Sequence, residues 1–164
     1  IHVLSQNLLV NDEKYTLLPI GIANSQWPHG NLDNFNIQIV KSSNVYFNFN
    51  IDTNVTKRLE CVNIVIKQVQ FLKNLSNMKE VILRMSKYRF VICPEGNGLD
   101  THRAWETLYL GSYPVLYNNE NNKALFNNLP VLFYTDINEL SKYNLENKLI
   151  EIKNTHYNLD KIFQ

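Results

Sequence analysis

The chain has 164 residues, 45% of them apolar and 19% charged, with a formal net charge of +1. That composition supports a packed core rather than disorder, and the length suits one domain that buries roughly two thirds of its unfolded surface. Scattered Lys and Arg form no stripe for nucleic acid, and no apolar run approaches the roughly twenty residues of a membrane span. The two cysteines, Cys61 and Cys93, are too few for a disulfide framework or a zinc site, although one bridge between them stays open.

The segment His2 to Asn7 reads as the end of a strand, and Tyr15 to Ala23 as a short strand or extended connector broken by Pro19 and Gly21. Asn24 to Asn36 is loop-like in composition, with Trp27 plugging the domain edge as one reading of it. Val45–Asn50 alternates with β-branched and aromatic residues and reads as a strand. Thr53 or Asn54 then caps a helix predicted to reach about Leu75, with Val55, Leu59, Val62, Ile66, Val69 and Leu72 on its apolar face. Lys57 and Arg58 oppose the dipole in its first turns. They are read as solvated, with reach toward a phosphate as the alternative.

A short helix is predicted from Met78 to Lys87, and the cluster Arg84 to Arg89 reads as its solvated end. Beyond the central unit described next, Asn118 to Asn122 reads as a loop, Lys123 to Asn128 as a helical turn or two, and Pro130–Tyr134 as a buried strand. Asp136 caps a helix starting at Ile137, and Asn144 to Phe163 is charged and helical in character. Two N-glycosylation sequons, at Asn54 and Asn74, arise readily in so Asn-rich a chain and do not fix a compartment.

The central unit runs from Phe90 to Leu116. Phe90–Cys93 is a buried strand ended by Pro94, and a loop carrying Gly96 and Gly98 leads into a helix capped by Asp100 or Thr101. Trp105, Leu108 and Tyr109 share the sheet-facing side of that helix, Gly111 ends it, and Tyr113–Tyr117 is the next strand. All four strands are expected to be parallel, in a sheet of four or five strands with helices on both faces. The glycine loop then falls at the carboxyl edge, where open α/β sheets bind ligands, and feeds a helix N-terminus, where N–H groups and the dipole favour an anion. Arg103 and Glu106 share one face of that helix. They form either a ligand site at the edge of the sheet or an internal ion pair in an ordinary strand–helix–strand turn.

The spacing of Arg103, Glu106, Gly111, Pro114 and Val115 resembles the donor-binding half of GT-B glycosyltransferases, the exostosin family in particular. The stretch Glu95-Gly-Asn-Gly-Leu99 is also similar to the glycine loop of retaining GT-B enzymes, and a weaker similarity runs to the α1,3-fucosyltransferases. The specific match covers about thirty residues, and a looser one reaches most of the chain. The resemblance implies a Rossmann-like α/β domain forming one half of a GT-B fold. It spans residues 41–164, with 1–40 as a connector and the edge of an N-terminal domain that this length cannot contain. The expectation is therefore a piece of a longer chain, whose activity would need the other half and whose compartment, cytoplasm or a Golgi-like lumen, stays open. The resemblance also implies the other reading of Trp27, near a cleft between domains.

The same resemblance implies transfer of a sugar from a nucleotide-sugar donor to a glycan or protein acceptor, with no cofactor. The donor site would comprise Glu95, Gly96, Asn97, Gly98, Asp100, Thr101, His102, Arg103 and Glu106. The chemistry of these residues suits the task. A guanidinium binds phosphate oxygens bidentately, a carboxylate accepts two hydrogen bonds from a ribose diol, and the glycine loop supplies N–H donors. The sequence contains no Asp-x-Asp pair, so a metal-chelating GT-A mechanism has no candidate ligands. His102 is read as a base beside the anion or as a helix-terminus hydrogen-bonding residue, and no catalytic base is assigned. Two other functions fit the same residues: a nucleotide-binding module without transfer activity, and a hydrolase using Glu95 and Glu106 as paired carboxylates. Arg103 between those carboxylates suits a phosphate better than a neutral glycan.

Overall fold

A computed structural model of the chain describes residues 2–8, 12–27, 29–41, 43–67, 77–141 and 145–162. Strands β1 (Val3–Ser5) and β2 (Tyr15–Leu17) form a small parallel pair. The main sheet contains β3 (Ser43–Tyr46), β4 (Tyr88–Ile92), β5 (Tyr113–Tyr117) and β6 (Leu132–Tyr134), adjacent in that order. Every pairing is parallel. Helices α1 (Val55–Val65), α2 (Met78–Met85), α3 (His102–Tyr109), α4 (Glu120–Leu125) and α5 (Leu145–Asn154) connect and follow the strands. The architecture is α/β, a Rossmann-like open parallel sheet flanked by helices. Among the described residues, no helix is long and apolar enough to cross a membrane.

Alternation along the strands sends successive side chains into two separate cores. Tyr46, Val91, Cys93 and Leu116 point to one face, where they pack with Met85 of α2, Trp105 and Leu108 of α3, and Leu125 beside Phe126. Phe90, Ile92, Val115 and Leu132 point to the other, where they meet Cys61, Val62 and Val65 of α1 and Leu149 and Ile152 of α5. A strand apolar on both sides is what a sheet covered on both faces requires. Phe35, with Ile20, Ile22 and Ile37 around it, packs on the α2–α3 face, so the N-terminal stretch shares that core. Both cysteines are buried and free, so the open Cys61–Cys93 bridge is not formed.

Several expected boundaries move. The strand expected over Val45–Asn50 ends at Tyr46, and Asn50 instead caps a 3-10 turn by accepting from the Asp52 N–H. The α1 helix is described to Val65, and the expected continuation to Leu75, with Val69, Leu72 and the Asn74 sequon, lies outside the described residues. Its apolar face is also rotated from expectation. Val55, Leu59 and Ile66 are exposed, whereas Arg58, Cys61, Val62 and Val65 are buried. Helix α4 begins at Glu120, three residues before expectation, because the Asn119 side chain caps it at the Asn122 N–H. Asp136 accepts from the Asn138 N–H at the start of a 3-10 turn over Ile137–Ser141, where a helix was expected.

Candidate functional site

The segments that follow β3 and β4, with the start of α3, line a cavity of about 490 Å³. Gly96, Asn97, Gly98, Asp100, Thr101, His102, Arg103 and Glu106 all line it, together with Arg58, Asn7 and Thr53. Of the residues singled out in the sequence, only Glu95 is elsewhere. Its side chain opens into a second cavity of about 220 Å³ with Lys57, Glu60, Tyr117, Tyr134 and Asp136. Glu95 and Glu106 therefore do not share a cavity, and the paired-carboxylate arrangement is absent.

Arg103 sits in the first turn of α3 over the ring of Tyr46, 5.9 Å from its centroid. Its Nη1 donates to the Asn48 carbonyl at 2.9 Å, and its Nε lies 3.5 Å from Glu106 Oε2. That ion pair falls short of a hydrogen bond, and among the described residues the buried Nε has no acceptor. The Arg103 side chain keeps 21% of its exposure while that of Glu106 keeps 4%. The guanidinium thus reaches the opening and the carboxylate forms part of the cavity wall. An unsatisfied buried donor beside a cavity is where a ligand acceptor adds most.

Of the two candidate caps, Thr101 holds the N-cap position of α3 and Asp100 is turned elsewhere. Its Oδ2 accepts from the Ile20 N–H at 2.7 Å and its Oδ1 from the Trp105 indole at 2.9 Å. Burial pushes its carboxyl above the ordinary value, and the bonds from Ile20 and Trp105 oppose that shift. Thr101 occupies the cap position without a side-chain bond to the helix; the Ala104 N–H donates to the Thr101 carbonyl at 3.1 Å, and the His102 and Arg103 N–H groups face solvent or a ligand. His102 Nδ1 lies 2.8 Å from the Gly21 carbonyl. A carbonyl only accepts, so Nδ1 carries the proton, and in the neutral ring Nε2 keeps its lone pair.

Neither Gly96 nor Gly98 adopts positive φ, so neither is needed for turn geometry. Their small size serves protein contacts instead. A Cβ on Gly96 would stand 2.9 Å from Arg58 Nη2, and one on Gly98 would stand 2.5 Å from the Asn7 amide. Gly111 does end α3 in the left-handed region, with φ of 63°.

Arg58 is the site residue that the solvated reading missed. It is 9% exposed, and its Nε donates to the Glu95 carbonyl at 2.9 Å and its Nη1 to the Asn50 carbonyl at 2.6 Å. Burial first, and the Arg103 charge second, pull its pKa below the ordinary value. One signal was available: Arg58 stands three, four and seven residues before Cys61, Val62 and Val65, which puts it on the face that α1 buries.

No family model matches the sequence, and no curated protein matches it significantly.

Proposed function

We propose that this chain is the donor-binding domain of a metal-independent glycosyltransferase of the exostosin-like GT-B type, which takes a nucleotide sugar and delivers its glycosyl group to a glycan or protein acceptor. The observation that carries this reading is the Arg103–Glu106 pair. The pair is open to a cavity of about 490 Å³ at the carboxyl edge of a parallel sheet, and among the described residues its buried Arg103 Nε has no acceptor. An ion pair that served structure alone would be expected to close and satisfy its donors. In this reading Arg103 holds phosphate oxygens of the departing nucleoside diphosphate, stabilising the charge that develops on it. Glu106 accepts from the ribose hydroxyls. The uncapped first turn of α3 adds N–H donors.

Metal independence is supported by a sequence without an Asp-x-Asp pair and by the guanidiniums of Arg58 and Arg103 lining the cavity, whose charge would take the part of a chelated cation. The second reading, a nucleotide-binding module without transfer activity, uses the same cavity and differs only in lacking an acceptor partner. Calorimetry of the chain with uridine and guanosine diphosphates, with and without a chelator, tests the shared claim. Binding that survives the chelator is expected, and binding that disappears with it contradicts the proposal.

A further inference from the structure

We propose that Arg58 is a second anion-binding residue of the Arg103 cavity, so that the cavity takes two adjacent anionic groups, a pyrophosphate unit, rather than one. The inference deepens the donor-site reading above and rests on it for the nucleoside part alone. Three observations carry it. Arg58 is nine-tenths buried, yet among the described residues no carboxylate lies within ion-pair distance of it. Its anchors are all neutral: the Asn50 and Glu95 carbonyls take Nη1 and Nε, the guanidinium lies over the Phe49 ring at 5.5 Å, and Nη2 is left directed under the glycine loop. It lines the same cavity as Arg103, the Coulombic neighbour that disfavours its charge.

A buried cation is ordinarily paired, because desolvation of an uncompensated charge is costly. Here two guanidiniums line one cavity, and among the described residues Glu106 is within ion-pair distance of Arg103 and not of Arg58. The uncompensated charge is therefore on the Arg58 side. A single phosphate on Arg103 leaves it so, whereas a second phosphate joined to the first neutralises it. The extended segment after β3 fixes the spacing, since the Asn48 carbonyl holds Arg103 and the Asn50 carbonyl holds Arg58.

The alternative is that Arg58 only ties the loop at Glu95 to the segment at Asn50. Calorimetry of the wild-type chain and of Arg58→Met with inorganic phosphate and inorganic pyrophosphate separates the two. The wild type should bind pyrophosphate at least about tenfold tighter than phosphate, and Arg58→Met should lose that preference while keeping phosphate binding, as expected for loss of a charge-assisted contact. An unchanged preference in a folded Arg58→Met overturns the inference, as does a wild type that binds neither anion or binds both equally. If Arg58→Met does not fold, guanidinium ¹H–¹⁵N spectra of the wild type decide, with the Arg58 signals assigned by their loss in Arg58→Lys. Those signals should shift during a pyrophosphate titration, and signals that stay fixed at saturation overturn the inference. A nucleoside diphosphate that binds no tighter than pyrophosphate would count against the nucleotide-sugar reading while leaving the Arg58 assignment intact.

Discussion

Arg103 Nε faces Glu106 Oε2 across 3.5 Å, one helical turn apart, with the carboxylate almost fully buried and the guanidinium partly open. The pair therefore has a structural consequence that is independent of any ligand. Arg103→Ala leaves Glu106 buried without its cation, and the expected cost is roughly 3 kcal/mol, the low end for a broken buried pair because the arginine keeps some solvent. The double variant Arg103→Met/Glu106→Leu removes both charges and should be more stable than Arg103→Ala. Urea unfolding of the three chains checks this, and a double variant less stable than the single one contradicts it.

Asp100 ties the N-terminal stretch to α3 by accepting from Ile20 and Trp105 together. Asp100→Asn sets an amide donor against one of those two N–H groups, at an expected cost of about 1–3 kcal/mol. The pH dependence has a definite sign. Burial raises the Asp100 pKa from 3.8, so the native chain binds this proton more tightly than the unfolded chain does. The stability it contributes is complete below the ordinary carboxylate range and is lost as pH rises through the raised value. The stability difference between wild type and Asp100→Asn should therefore narrow in thermal unfolding as pH rises through and above the ordinary carboxylate range. A difference that widens shows that the bonds from Ile20 and Trp105 outweigh burial.

Burial pushes the thiols of Cys61 and Cys93 up to about 12. The thiolate is the reactive form, so neither cysteine should react with a thiol reagent near neutral pH while the chain is folded. Labelling should accelerate with denaturant in step with unfolding. Rapid labelling of the native chain contradicts the placement of these residues in the two cores.

The strand Tyr113–Tyr117 was legible in full because its aromatic and β-branched run is bounded by Gly111 and by Asn118, and both of its faces are apolar. The α3 unit was legible for a similar reason: Trp105 and Leu108 mark the sheet-facing side and Gly111 marks the end. The segment after Tyr46 was not. Asn-Phe-Asn-Phe-Asn alternates like a strand, but the carbonyls of Asn48 and Asn50 are taken by the guanidiniums of Arg103 and Arg58, and those partners are distant or on another element. Arg58 was missed because α1 carries apolar residues around most of its circumference, so periodicity alone did not select the face that is buried. The loop from Glu95 to Gly98 that covers Arg58 comes from the far side of β4, which is a tertiary fact that local sequence does not carry.

The central claim is that Arg103 and Glu106 hold different parts of one nucleotide, and a matrix of two ligands and three chains tests it most directly. Calorimetry would compare a nucleoside with its diphosphate on the wild type, Arg103→Ala and Glu106→Gln, each verified as folded by circular dichroism. Arg103→Ala should weaken the diphosphate by roughly 1.5–3 kcal/mol, about tenfold to more than a hundredfold, and leave the nucleoside unchanged. Glu106→Gln should weaken nucleoside and diphosphate by the same factor, because its partner is the ribose. Diphosphate binding indifferent to Arg103→Ala, or a Glu106→Gln effect confined to the diphosphate, would contradict the assignment of the two residues.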